Sequence, residues 1–456
     1  MMKNILAFVL LISTISQAQH TVKGSMSPKL ESDWVILYKL EGTKQVFVNN
    51  TTIKTDSIIV NGKKQVVGSF EIKLPATAKP GSYRATYRLE EAGFVDFFYN
   101  KENVSFIFNP NYPQEAIAFQ ESTENKLYTA YMKDVSMAQQ RLDSIQVAVL
   151  QDPTLDLKAY YLKVYKEVDS VQNTYVQKTK NKYIAPFVKA SARINPPEIL
   201  SSVNEYLSNI KNTFFNTLDF SNKALMNSSF LSNRILDYVF YINFSDDEEQ
   251  QQILYKKSIE TILSKIQNVS YKRDIIQFLI ENFEISKNLE IIDYLFENHY
   301  NKLPENLQNK QFIAEKLALF SAEIGRVAPD FSWNENGKTL KLSALNDAEN
   351  YVLVFWSTSC SHCLREIPEL HSYMKNKTAM KVIGFALEND ASVWSNYKNE
   401  KLLGWHNVLG LKKWKNETAR TYQINSTPTY FILDKNKKII SKPTEFKDLV
   451  AFIDTM

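Results

Sequence analysis

The chain has 456 residues, 44% hydrophobic and 12% aromatic, with 54 Lys and Arg set against 50 Asp and Glu. So much apolar material excludes a disordered chain and suffices for about three domains. A net charge of +4, with acids and bases interleaved, excludes the basic stripe of a nucleic-acid-binding protein, so no nucleic-acid partner is expected.

Met1-Met2-Lys3-Asn4 gives a positive start, and Ile5 to Ile15 is an apolar core too short to cross a bilayer comfortably. Ser16 and Ala18 then stand at the two positions a signal peptidase reads. The pattern predicts a cleavable signal peptide over 1–18, cut after Ala18, and a periplasmic protein with no stable membrane insertion. An uncleaved anchor is the alternative. No cysteine follows the apolar run, which argues against a lipid-modified one, and no later stretch has the apolar length of a transmembrane helix.

Residues 19–118 read as an all-β, sandwich-like domain. Phe70 to Leu74 and Tyr83 to Leu89 alternate apolar and polar, as strands with one wet face do, and Val104 to Phe108 is a further apolar strand. Asn61-Gly62, Lys79-Pro80-Gly81 and Asn109-Pro110-Asn111 mark turns. Phe94, Phe97, Phe98 and Tyr99 are expected in a core rather than around a ligand.

Residues 119–324 change to helical period. Leu127, Tyr131, Val135, Ala138, Leu142, Ile145 and Val149 step by threes and fours; so do Leu157, Tyr161, Val164, Val168, Val171 and Tyr175 after Asp152-Pro153-Thr154. Two such helices predict an antiparallel hairpin with a heptad seam. Pro186 and Pro196-Pro197 interrupt the period, and Leu200, Val203, Leu207, Ile210 and Phe214 resume it. Asp246-Asp247-Glu248-Glu249 reads as a solvated helix start, without the glycine and spacing of a calcium loop. The region is expected to be a scaffold or a docking surface.

Residues 325–456 alternate strand and helix. Asn336-Gly337 predicts a hairpin turn; strands follow at 351–356, 382–387, near 406–409, at 430–434 and at 438–440, with helices at 391–402, 412–422 and 445–454. Between the first long strand and its helix lie Cys360-Ser361-His362-Cys363, the only two cysteines in the chain. At a helix N-terminus, unpaired N–H groups and the helix dipole favour a thiolate on the first sulfur, and the second thiol can close a disulfide with it. Cys360 is therefore read as nucleophile and Cys363 as resolving cysteine. A zinc site would need a second pair of ligands, and His20, His299, His371 and His406 are scattered. A copper(I) site remains chemically open.

The stretch Phe355-Trp356-Ser357-Thr358-Ser359-Cys360-Ser361-His362-Cys363 resembles the signature of TlpA/ResA-type thioredoxin-like thiol:disulfide oxidoreductases. Ser426-Thr427-Pro428-Thr429 is similar to their cis-proline loop, and Ala328-Pro329-Asp330-Phe331 to their opening sequence. The resemblance covers roughly 326–456. It implies a C-terminal α/β thioredoxin fold, Thr427 and Pro428 facing the CxxC pair, and a substrate contact at Trp356. The β region resembles, more loosely, the small sandwich preceding many exported thioredoxin-like domains. Two departures stand out: Ser359 replaces the usual tryptophan, and Val354 occupies the place of thioredoxin's buried aspartate. Glu388 is a candidate substitute for that acid, or else a solvated strand end. Ser361 and His362 are expected to modulate the pair. A cationic imidazole would make it more oxidising, whereas a solvent-facing His362 would do nothing.

These features point to an exported thiol:disulfide oxidoreductase needing no cofactor and no metal. Its expected partners are substrate proteins with cysteines or disulfides, and a membrane or periplasmic redox partner. The alternative is a binding or scaffold protein whose disulfide is not catalytic. A peroxiredoxin would carry threonine three residues before its cysteine, whereas Thr358 lies two before Cys360.

Overall fold

The computed structural model describes residues 20–60, 62–89, 93–402 and 404–456. The predicted leader 1–18 with its expected cleavage site, and Asn61 of the first predicted turn, lie outside the described residues. The described residues form two compact units, one up to Leu307 and one spanning Gln308–Met456.

The first unit begins with strands β1 (Thr21–Met26), β2 (Trp34–Glu41), β3 (Lys44–Thr52), β4 (Lys54–Val60), β5 (Lys63–Lys73), β6 (Gly81–Thr86), β7 (Phe94–Tyr99), β8 (Val104–Phe108) and β9 (Ile117–Glu121). Among the described residues they pair as two sheets, ordered β4-β5-β1-β8-β9 and β3-β2-β6-β7. Alternation decides which side chains turn inward: Val95, Phe97 and Tyr99 from β7 share one core with Phe70, Phe106 and Phe108 from the other sheet. Residues of both sheets in a single core make a sandwich, as the sequence predicts. Gly24 on β1 permits this packing, because a Cβ there would stand 2.2 Å from the Phe70 ring.

Phe98 points the other way, to ring contacts with Tyr128 and Phe187 at 5.1 and 4.6 Å. The Asn125 amide bonds both backbone groups of Phe98, accepting from its N–H at 2.8 Å and donating to its carbonyl at 2.6 Å. The sandwich is thus tied to the helix Thr123–Gln151, which forms the predicted hairpin with Lys158–Lys178. Tyr131, Ala138, Leu142 and Ile145 are buried along the first helix, and Tyr161, Val164, Val168 and Tyr175 along the second. Asp247 caps the helix Glu248–Lys265, accepting from the Gln250 N–H at 2.7 Å, so the acidic run is a helix start.

In the second unit β10 (Ser332–Glu335) and β11 (Lys338–Lys341) form the predicted hairpin. Asn336 and Gly337 have φ of 50° and 76°, the two left-handed residues its turn requires. The main sheet contains β12 (Asn350–Trp356), β13 (Met380–Glu388), β14 (His406–Leu411), β15 (Thr429–Asp434) and β16 (Ile439–Ser441), ordered β14-β13-β12-β15-β16. β12 runs parallel to β13 and antiparallel to β15, so it is central. Tyr351, Leu353 and Phe355 enter the core on one face of the sheet, and Val352, Val354 and Trp356 the core on the other. A strand covered on both faces has no polar positions, which is why this stretch reads as an unbroken apolar run.

Candidate active site

β12 and β13 end side by side, and their carboxyl ends carry the site, as is general for open sheets with parallel strands. After Trp356 the chain turns through Ser357, Thr358 and Ser359. Cys360 then caps the helix Ser361–Met374, its sulfur accepting from the Cys363 N–H at 3.4 Å. Pro368 lies inside this helix and does not end it.

The two cysteines differ in environment. Cys360 is half-buried, and its thiol donates to the Thr427 carbonyl at 3.2 Å. Partial burial opposes its ionisation. Side-chain hydrogen bonds with Cys363 and Thr427, and the backbone N–H groups of Cys363 and His362, outweigh that and hold the thiol below its ordinary range. Cys363 has no exposed surface. Burial first, then its hydrogen bond to Cys360, pushes it up to about 12. The accessible sulfur is the one that ionises readily, and both thiols are free.

The structure brings most of the other expected residues to this place. The Thr427–Pro428 peptide is cis, and Thr427 meets Cys360. Glu388 ends β13 with 5% exposure, and its carboxylate accepts from the Thr358 N–H at 2.6 Å. It is therefore a buried anchor of the turn preceding Cys360, and the solvated strand end is not what the fold builds. Ser361 and His362 are exposed on the first turn of the helix. Trp356 is placed differently from its expected contact with substrate. It has no exposed surface and packs beneath the site against Tyr397, with ring centroids 5.3 Å apart. Strand alternation explains this, since Trp356 continues the face begun by Val352 and Val354.

Ser357 and Lys413, which the sequence does not single out, also meet here at Ser359. Ser359 bonds the Ser357 hydroxyl at 3.0 Å and accepts from the Lys413 ammonium at 2.7 Å. The polar residue at the tryptophan's place thus receives a cation from the loop after β14. Its signal was the run Lys412-Lys413-Trp414-Lys415, three lysines about one tryptophan. Among the described residues no group of three or more His, Cys, Asp or Glu is arranged to hold a metal.

The second unit is similar to known proteins. The AhpC/TSA family model matches residues 324–442. The thiol-disulfide oxidoreductase ResA of Bacillus thuringiensis subsp. konkukian is 31% identical over 124 residues, 26% of this chain and 69% of that protein. A thioredoxin-like protein of Haemophilus influenzae is 30% identical over 103 residues, 22% of this chain, and the chain spans 58% of that relative. A solved thiol-disulfide oxidoreductase from Bacteroides fragilis is 26% identical, covering 28% of this chain and 98% of that one at a TM-score of 0.26. The extent of the match to ResA identifies the family: this chain belongs to the thioredoxin-fold thiol-disulfide oxidoreductases of the ResA type.

Proposed function

We propose that the protein exchanges disulfides with cysteine-containing protein substrates through Cys360 and Cys363. The observation that carries this reading is the division between an accessible, readily ionised thiol and a buried, protonated one. The Cys360 thiolate attacks a substrate disulfide, forming a mixed disulfide and releasing one substrate thiolate, which takes up a proton. Cys363 then loses its proton and attacks the Cys360 sulfur, releasing the second substrate thiol. Two electrons pass to the substrate, and the 360–363 disulfide forms. An external dithiol returns the protein to its reduced state, and the same steps reversed oxidise a substrate dithiol.

In this reading Thr427 offers its carbonyl to the bound substrate backbone once Cys360 has entered the mixed disulfide, and Pro428 borders that contact. Glu388 positions the turn before Cys360. Ser361 and His362 open the helix, where the His362 backbone N–H favours the Cys360 thiolate, and Trp356 supports the site from below. The protein is further proposed to be exported by the 1–18 leader and to act in the periplasm with a redox partner there. Its positively charged start and short apolar core support this, and no described helix is long and apolar enough to cross a membrane.

The test is turnover of a model peptide disulfide with a dithiol reductant. Wild type should release peptide thiols faster than the dithiol alone, and Cys360→Ala should add nothing to that uncatalysed rate. Equal turnover in the variant would defeat the reading.

A further inference from the structure

The site has a cationic flank that the exchange chemistry does not use. β14 ends at Leu411, paired with Glu388 of β13, so the loop after it begins beside the turn that carries Cys360. Residues 411–425 hold Lys412, Lys413, Lys415 and Arg420 against the single carboxylate of Glu417. None of these four cations forms an ion pair among the described residues, whereas Lys341, Lys377 and Lys442 of the same unit pair with Asp330, Asp454 and Glu323. Lys413 reaches Ser359 at 2.7 Å, on the lip of the site.

A cavity of about 480 Å³ adjoins this loop, lined by Trp414, Arg420, Gln423, Ile424 and Asn425. Its Asn425 edge lies two residues before Thr427, the partner of Cys360. Trp414 stands 49% exposed in its wall. The loop holds a fixed shape: the Asn416 amide donates to the Leu411 carbonyl at 3.1 Å, and the Lys415 N–H donates to the Lys412 carbonyl at 2.9 Å. Lys412, Lys413 and Gln423 have φ of 73°, 45° and 54°, a left-handed conformation that side chains with a Cβ disfavour. Of the three, Gln423 lines the cavity, and backbone held this way recurs at ligand clamps.

We propose that the Lys412–Lys415 loop, Arg420 and this cavity form a docking groove for an acidic segment of the substrate polypeptide beside its reacting cysteine. Unpaired cations would attract the carboxylates, the exposed indole would cover an apolar side chain, and the groove would lead to Cys360. This rests on the exchange reading above and names the class of substrate for it.

The test compares two peptides identical except for their flanks, each a mixed disulfide of a central cysteine with 2-thiopyridine, flanked by glutamates in one and lysines in the other. The full-length reduced protein reacts with each, and with neutral 2,2′-dithiodipyridine, which normalises for active thiol. The acidic peptide should react faster than the basic one by about tenfold or more at low salt, within the range of electrostatic steering. The gap should close at high salt, where the Debye length falls to about 3 Å at 1 M. Lys415→Glu with Arg420→Glu, both positions exposed, should reverse the preference. Equal rates in wild type, or a preference unchanged by these substitutions or by salt, would overturn the groove. No reaction with dithiodipyridine would instead defeat the exchange chemistry, and the groove's role with it.

Discussion

The Cys360 thiol donates to the backbone carbonyl of Thr427 at 3.2 Å, joining two loops 67 residues apart in the chain. One loop is set by the end of β12 and the start of a helix, the other by the start of β15, and these two strands are neighbours in the sheet. The pairing of the strands therefore brings the sulfur to the proline loop.

Alkylation should separate the two thiols. Reduced protein treated with iodoacetamide should react first at Cys360, with a half-maximal rate below the ordinary thiol value of about 8.5. The thiolate is the reactive form, so the rate should fall only as pH drops through that lowered value. Cys363, protonated until about pH 12, should stay unmodified at neutral pH. Peptide mapping checks this; equal labelling of both would show that the environments do not differ.

Glu388→Ala should cost about 2 kcal/mol, because it removes a charge-assisted hydrogen bond and leaves the Thr358 N–H without its acceptor. Glu388→Gln keeps an acceptor and should cost less. Urea unfolding gives both values. Equal losses would mean that the contact with Thr358 is not what the carboxylate contributes.

The CxxC pair, the proline loop and the strands of the second unit were legible because each is local: a spacing, a short motif, an apolar run. Glu388 was legible as a residue but not as a buried one, since its burial depends on how β13 lies beside the turn at Thr358. Trp356 was misjudged for a related reason. The family resemblance implies a substrate contact there, while strand alternation sends it into the core. Lys413 was not legible as part of the site, because its contact with Ser359 spans 54 residues. Period two turns Phe98 away from the face of Phe97 and Tyr99, but it could not show that helices cover it there.

Asn125→Ala should destabilise the first unit by about 2 kcal/mol, since the amide satisfies both backbone groups of Phe98 and is 2% exposed. Thermal or urea unfolding reads the loss. A neutral substitution would mean that solvent replaces both bonds.

A fragment 308–456 should be more stable than 325–456. The longer one keeps Ala322 in the sheet's core and the bonds from Ser321 to the Thr421 carbonyl, at 3.1 Å, and from Gln423 to the Ala318 carbonyl, at 3.1 Å. The difference should be about 2 kcal/mol by urea unfolding, from two hydrogen bonds of roughly 1 kcal/mol each. Equal stability would place the start of the folding unit at 325.

The division of labour between the cysteines is tested most directly by trapping. Reduced Cys363→Ala protein, mixed with a peptide disulfide and analysed by intact and peptide mass spectrometry, should carry one peptide per chain, attached at Cys360. Wild type should pass through the same adduct and end as an internal disulfide, and Cys360→Ala should carry none. An adduct on Cys363 in the Cys360→Ala protein at a comparable rate, or no accumulation at Cys360 in Cys363→Ala, would contradict the assignment of attacking and resolving thiols.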